Sequence, residues 1–322
     1  MTRISRRGLL TGAAGAALFG AGLAGGSYSA TLAGARRGVE QRSQLVQTRF
    51  GTLEYAIAGR GEPFLMIHGT GGGFDQGLLF SQALIAHGFE VIAPSRFGYL
   101  RSDFPPDPSP ANQADAIADL LDHLGIERLV VAGGSAGALS AVQFALRHPD
   151  RCASLILLVP AANLGNRDPV EFTRLQQFLA DRVMASDPWF WALLKLFPDQ
   201  LIGTLLATDP ALLQTVPKSE RERAYHILNG LMPISWRTRG MMNDGHFAGS
   251  PAGIDLSRIA APTLIISAED DRFGTAETAR TIAGQVSSSR LVIYPSGGHI
   301  WLGHDDGVAD EIAAFARTAA IN

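Results

Sequence analysis

A chain of 322 residues, 46% hydrophobic and 18% charged, is long enough for one large α/β domain with an insertion and needs no covalent staples. A net charge of −3 and a pI near 6.2 leave no basic footprint, which argues against nucleic acid as a partner. The single cysteine, Cys152, opens an apolar run at 153–159 and reads as a small buried hydrophobe rather than a nucleophile.

Residues 1–35 read as a targeting segment outside the fold. Arg3, Arg6 and Arg7 precede an uncharged, Gly/Ala-rich stretch, and Ala33-Gly34-Ala35 offers a small-x-small cleavage site. So much Gly and Ala makes the stretch weakly hydrophobic, which favours an export signal over a membrane-spanning anchor. Uncleaved, it would tether the chain to a membrane and be its one membrane contact. Ser5-Arg6-Arg7-Gly8-Leu9-Leu10 resembles a bacterial twin-arginine signal, which implies a periplasmic or extracellular protein. Residues 36–42 are then a polar lead-in.

Two alternating runs at 45–50 and 53–58, joined at Gly51-Thr52, predict an antiparallel hairpin at a sheet edge. Phe64-Leu65-Met66-Ile67 predicts a buried strand that ends in His68-Gly69-Thr70-Gly71-Gly72-Gly73, with a helix over 74–87 behind it. Further strands are expected at 89–94, 128–132 and 152–159, and a helix at 111–124. Strands alternating with helices argue for a doubly wound, mostly parallel sheet, with ligands at the carboxyl ends of its strands. Residues 163–253 break the alternation: they hold helical patterns, no convincing strand, and a concentration of aromatics that includes Phe172, Phe178 and Trp189-Phe190-Trp191. The core resumes with strands at 262–267 and 290–294 and a helix at 307–319.

The stretch 129–149 organises the chain. Leu-Val-Val-Ala forms a buried strand, Gly133, Ser135 and Gly137 spell G-x-S-x-G, and an apolar helix follows. A turn this sharp strains its central residue and needs glycines on both sides, which leaves the Ser135 hydroxyl standing free of the sheet. A serine is a poor nucleophile until a base takes its proton, and that base must be held in one tautomer by an acid. His299 and His304, with Asp305 and Asp306, lack the spacing that puts two imidazoles on one helix face, so no metal site is expected, and no cofactor is called for.

Over about 45–163 and 255–315 the chain resembles the α/β-hydrolases, enzymes with a Ser-His-acid triad on that elbow. The resemblance implies an α/β-hydrolase core in two parts, 36–162 and 254–322, with 163–253 as a helical cap. It implies His299, in Ser296-Gly297-Gly298-His299 beyond the last strand, as the base. Ser267-Ala268-Glu269-Asp270-Asp271 resembles the family's G-x-x-D turn with Ala268 for Gly, which selects Asp271 as the acid and leaves Asp270 and Glu269 as solvated turn residues. Where some members carry the acid one strand earlier, this chain has Asn163. The order Ser, Asp, His agrees with the family.

The resemblance also implies an oxyanion hole from two backbone amides, Ala136 after the nucleophile and Thr70 in the H-G-x turn. His68 is expected to order that loop. Pro94-Ser95-Arg96-Phe97-Gly98-Tyr99 resembles a structural turn that commonly has Asp at the place of Ser95, and is given no catalytic duty. A Ser nucleophile argues against the dehalogenase and epoxide hydrolase branches, which use Asp. Cleavage of an ester or related acyl bond of a small, partly apolar substrate is the expected reaction. Carbon–carbon bond hydrolases, lactonases, amidases and cofactor-free perhydrolases share the same triad. A catalytically silent binding protein on this fold would show a damaged triad or loop, and none is seen. The Trp189-Phe190-Trp191 run, with Phe197 and neighbouring leucines, presents more apolar surface than one helix stripe needs, so part of it is expected to face the cleft.

Overall fold

The computed structural model describes residues 25–162, 185–250 and 253–321. Its strands are β1 (Gln44–Thr48), β2 (Gly51–Gly59), β3 (Glu62–Ile67), β4 (Phe89–Pro94), β5 (Leu129–Gly134), β6 (Cys152–Leu158), β7 (Thr263–Ala268) and β8 (Ser289–Tyr294). They form one sheet in the order β1-β2-β4-β3-β5-β6-β7-β8. β1 and β2 make the edge hairpin, β2 runs antiparallel to β4, and the remaining pairs are parallel.

The helices are α1 over 25–42, α2 (Phe74–Phe80), α3 (Gln82–Ala86), α4 (Pro110–Leu124), α5 (Gly137–Arg147), α6 (Asp187–Leu196), α7 (Pro198–Leu205), α8 (Lys218–Asn229), α9 (Thr238–Gly249), α10 (Thr275–Gln285) and α11 (Asp305–Ile321). The central strands read as continuous apolar runs because helices cover both faces of the sheet. Alternate residues divide between two cores: Leu65, Val131, Leu157 and Ile265 pack with α4, α5 and α10. Met66, Val130, Ile156 and Ile266 pack with α3 and α11. Burial pushes the Cys152 thiol at the head of β6 up to about 12, so it stays protonated and packs as a hydrophobe.

Local chemistry sets the helix ends. Ser109 accepts from the Asn112 amide, Pro110 occupies the first turn of α4, and Gly125 closes it in the left-handed region at φ 68°. The single helix expected over 74–87 is instead two. The backbone leaves helical values at Ser81 (φ −105°, ψ 8°), which lets α2 present Phe80 to the cap side while Leu84 of α3 enters the core.

α1 runs across the boundary expected at residue 35. Val39 is buried with Ala56, Phe74 and Ala93, and Leu32 and Ala35 pack on the cap. The Tyr28 ring stands edge-on to Trp191 at 5.8 Å, and Arg36 reaches Asp187 of α6 at 3.5 Å. Among the described residues no helix is long and apolar enough to cross a membrane. Between β6 and β7 the described residues of the expected cap are helical, α6 to α9, around a core of their own that includes Phe190, Ile202, Leu213 and Ile227. Asn163, Phe172 and Phe178 lie outside the described residues.

Candidate active site

The G-x-S-x-G turn joins β5 to α5 with Ser135 at φ 50°, a left-handed value that costs a non-glycine residue of order 1–3 kcal/mol. Three backbone hydrogen bonds hold it there. The Ser135 amide donates to the Leu158 carbonyl at 2.9 Å, and the Ser135 carbonyl accepts from Ala138 at 3.0 Å and Ala161 at 3.1 Å. The flanking glycines are sites of close approach: a Cβ on Gly133 would stand 2.7 Å from the Gly137 carbonyl oxygen, and one on Gly137 2.3 Å from that of Ile67.

Asp271 and His299 come together as expected. The His299 Nδ1 lies 2.7 Å from Asp271 Oδ2, with the Asp271 side chain wholly buried and that of His299 at 11% exposure. The Phe273 amide donates to Asp271 Oδ1 at 2.9 Å, and the Thr275 hydroxyl donates to Oδ2. This set of donors fixes the carboxylate, and the carboxylate fixes the imidazole with Nδ1 protonated and Nε2 free to accept. Phe273 stands edge-on to the imidazole at 4.9 Å. Asp270 is not the solvated turn residue expected: its carboxylate accepts from the amides of Gly297 at 3.3 Å and Gly298 at 2.8 Å, and so pins the loop that carries His299. Glu269 does face solvent, paired with Arg280. His304 stacks on Tyr294 at 4.3 Å.

Ser135, Ala136, His299 and Thr70 all line one cavity of about 450 Å³. No hydrogen bond joins Ser135 to His299, a looseness common before substrate binds. The backbone amides of Thr70 and Ala136 have no acceptor among the described residues. Two unpaired donors beside a free hydroxyl are the groups that a developing oxyanion needs, and Ala136 is the N-cap of α5, where the helix dipole favours negative charge.

His68 orders the loop and cannot serve as a base. Its Nδ1 must donate to the Gly69 carbonyl, 2.7 Å away, and its Nε2 must accept from the Arg96 amide at 2.9 Å, so both nitrogens are committed. Complete burial, followed by the Arg96 charge, holds its pKa well below the usual histidine value and keeps the ring neutral.

A family model for the alpha/beta hydrolase fold matches residues 62–303. The chain belongs to the α/β-hydrolase family. Among its relatives, the hydrolase YcgS of Bacillus subtilis is 28% identical over 83% of this chain and 95% of its own length. The 2-hydroxy-6-oxo-6-phenylhexa-2,4-dienoate hydrolase of Burkholderia cepacia is 28% identical over 75% and 82%. An alpha/beta hydrolase fold protein from Nakamurella multipartita superposes with a TM-score of 0.72 at 27% identity, covering 86% of this chain and 99% of its own.

The cap of this α/β-hydrolase corrects one expectation. Trp189 is 65% exposed, Phe197 is also exposed, Phe190 is buried inside the cap, and Trp191 packs against Tyr28, so none of the four lines the cavity. The aromatic run covers the cap's own core and meets α1; the wall above Ser135 is aliphatic, with Leu205, Leu206, Ile227, Leu231, Ile234 and Met241. Sequence reasoning also missed two buried charges of the cap, Arg237 and Asp244. Arg237 has no exposed surface, donates to the Gly72 carbonyl at 2.6 Å and pairs with Asp75 at 2.6 Å. Asp244 forks onto Arg96 at 2.5 and 2.6 Å. Their spacing of seven residues, from the N-cap of α9 to its second turn, was the available signal.

Proposed function

We propose that this α/β-hydrolase cleaves an ester or related acyl bond of a small, partly apolar substrate through an acyl-enzyme on Ser135. The observation that carries the reading is the convergence of Ser135, the His299–Asp271 pair and two unpaired amides on one largely apolar cavity. His299 would take the Ser135 proton as Oγ attacks the carbonyl carbon, the amides of Thr70 and Ala136 would bind the oxyanion, and His299 would then protonate the leaving group. Water, activated the same way, would release the acid.

Carbon–carbon bond hydrolysis is the second reading, favoured by relatives named for dienoate substrates. A dienoate carries a carboxylate that calls for a cation in its site. Among the described residues that line the cavity there is no Lys or Arg, and the one charged group besides the triad pair is Asp244, already neutralised by Arg96. This supports a neutral substrate. The test is a panel of esters of graded acyl length beside a dienoate, with fluorophosphonate labelling of the wild type and Ser135→Ala. Each methylene that enters the aliphatic wall is worth up to about 0.8 kcal/mol, so kcat/KM is expected to rise with chain length and fall once the cavity is full. Labelling should occur at Ser135 and vanish in the variant. Turnover of the dienoate alone would select the second reading, and labelling at another serine would remove Ser135 as nucleophile.

We also propose that the chain is exported through its twin-arginine segment. Cleavage after Ala35 would remove Tyr28 and Leu32, which pack on the cap, so the packing favours an exported enzyme that keeps α1. Arg6→Lys with Arg7→Lys is expected to leave the enzyme in the cytoplasm, measured by fractionation and mass; normal export of that variant would exclude the route.

A further inference from the structure

We propose that Asp244, on cap helix α9, is a positioning residue that completes the oxyanion hole by fixing Thr70; the inference rests on the serine-hydrolase reading above. Of the two amides, that of Ala136 is held as the N-cap of α5, with helical backbone angles. Thr70 is exposed between buried neighbours and followed by three glycines, with Gly71 at φ 79°, and its turn is closed on the core side by a single backbone bond, from the Gly72 amide to the Gly69 carbonyl at 3.2 Å. A donor stabilises a transition state only if its position is set beforehand, so something must hold residue 70.

The loop's bonds show what does. On the core side, the Gly69 amide donates to the Gln76 side chain at 3.1 Å and the Gly69 carbonyl accepts from His68. Beyond the turn bond, the hydrogen bonds of Thr70 and Gly71 lead to the cap, the Gly71 carbonyl accepting from Arg237 at 3.3 Å. The Thr70 hydroxyl donates to Asp244 Oδ2 at 2.9 Å. The Gly71 amide donates to the Tyr99 hydroxyl at 3.3 Å, and that hydroxyl donates in turn to Asp244 Oδ2 at 2.5 Å. Arg96 grips both Asp244 oxygens and sends its Nε to the His68 carbonyl at 2.9 Å. Asp244 is 4% exposed, and its bonds to Arg96 and Tyr99 form where water does not compete. Four donors from three core residues therefore converge on one cap carboxylate, and two of those residues, Thr70 and Tyr99, hold the loop on either side of the Thr70–Gly71 peptide. Seating the cap and setting the second oxyanion donor are then one event.

The competing role is adhesion, in which Asp244 only fastens the cap to Arg96. Thr70→Val separates the two, since it deletes the hydroxyl link and leaves the amide, Arg96, Tyr99 and Asp244 in place. The readouts need no natural substrate: the rate constant for inactivation by a fluorophosphonate and the inhibition constant of an arylboronic acid, whose tetrahedral adduct places an oxygen in the same hole. Displacing a donor should cost less than deleting one, so Thr70→Val is expected to slow inactivation about 10-fold and to weaken the boronic acid by a similar factor. The unfolding midpoint should be unchanged. Thr70→Ser, which restores the hydroxyl, should recover most of both values. Inactivation and inhibition within twofold of wild type in Thr70→Val, or failure of Thr70→Ser to recover them, would overturn the proposal. A wild type that is not labelled at Ser135 would instead overturn the serine-hydrolase reading itself.

Discussion

Asp271→Asn is expected to lower kcat/KM by about 10³ to 10⁴, the scale seen when a triad loses the acid that fixes its histidine. The buried carboxylate faces Nδ1 at 2.7 Å and is filled on its other sides by the Phe273 amide and the Thr275 hydroxyl. An asparagine in that place must either turn its oxygen to His299 and its NH₂ toward donors that it cannot satisfy, or turn the NH₂ to His299 and select the tautomer with Nε2 protonated. The first loses buried hydrogen bonds and the second removes the general base. Asp270→Asn should be far milder, because one amide oxygen still accepts from Gly298, the shorter of the two bonds at 2.8 Å. Asp270→Ala releases both loop amides and should fall between them. Rates per active site, titrated with a fluorophosphonate, check the ranking; a severe Asp270→Asn beside a mild Asp271→Asn would move the acid to Asp270.

That comparison also shows where the sequence is legible. Motif count alone selects Asp271, because a strand–turn–acid pattern repeats the backbone path that delivers the carboxylate. It is silent on Asp270, whose partners are two amides 27 and 28 residues away. Continuous apolar strands, the elbow and the His-Gly-Thr loop are local patterns, and each predicts its own backbone. The cap resists such reading: a Trp-Phe-Trp run has the same composition whether it lines a cavity or seals a cap, and only tertiary packing sends Phe190 inward and leaves Trp189 in water. Arg237 and Asp244 look like surface charges of an ordinary helix until the oxyanion loop is laid against them. The N-terminal segment shows the same limit, since its small residues read as an export signal while Leu32, Ala35 and Val39 recur along one side of α1 and pack. Where function requires long-range pairing of polar groups, the residue types are visible in the chain but their partners are not.

Gly137→Ala is expected to destabilise the hydrolase by about 3 kcal/mol and to slow it as well, whereas Gly134→Ala, three residues earlier, should be close to neutral for stability. The decisive difference is what a methyl group meets. At Gly134 the nearest atom is the Met66 Cε at 3.5 Å, an ordinary contact with a flexible side chain. At Gly137 it would meet the carbonyl oxygens of Ile67 at 2.3 Å and His68 at 2.5 Å, which belong to backbone and have little freedom. β3 is hydrogen-bonded on both sides, to β4 and β5, so α5 must yield instead. A shift of α5 away from β3 carries the Ala136 amide away from Thr70, three residues beyond the end of β3, and would widen the proposed oxyanion hole. Loss of stability and loss of rate should therefore appear together in Gly137→Ala. Thermal unfolding gives the first, at roughly 2–4 °C for each kcal/mol or somewhat less in a chain of this size. The fluorophosphonate inactivation rate on folded enzyme gives the second. Equal midpoints for Gly137→Ala and Gly134→Ala would show that the helix is not held against the strand as tightly as the contacts require, and that the elbow tolerates a side chain at its last glycine.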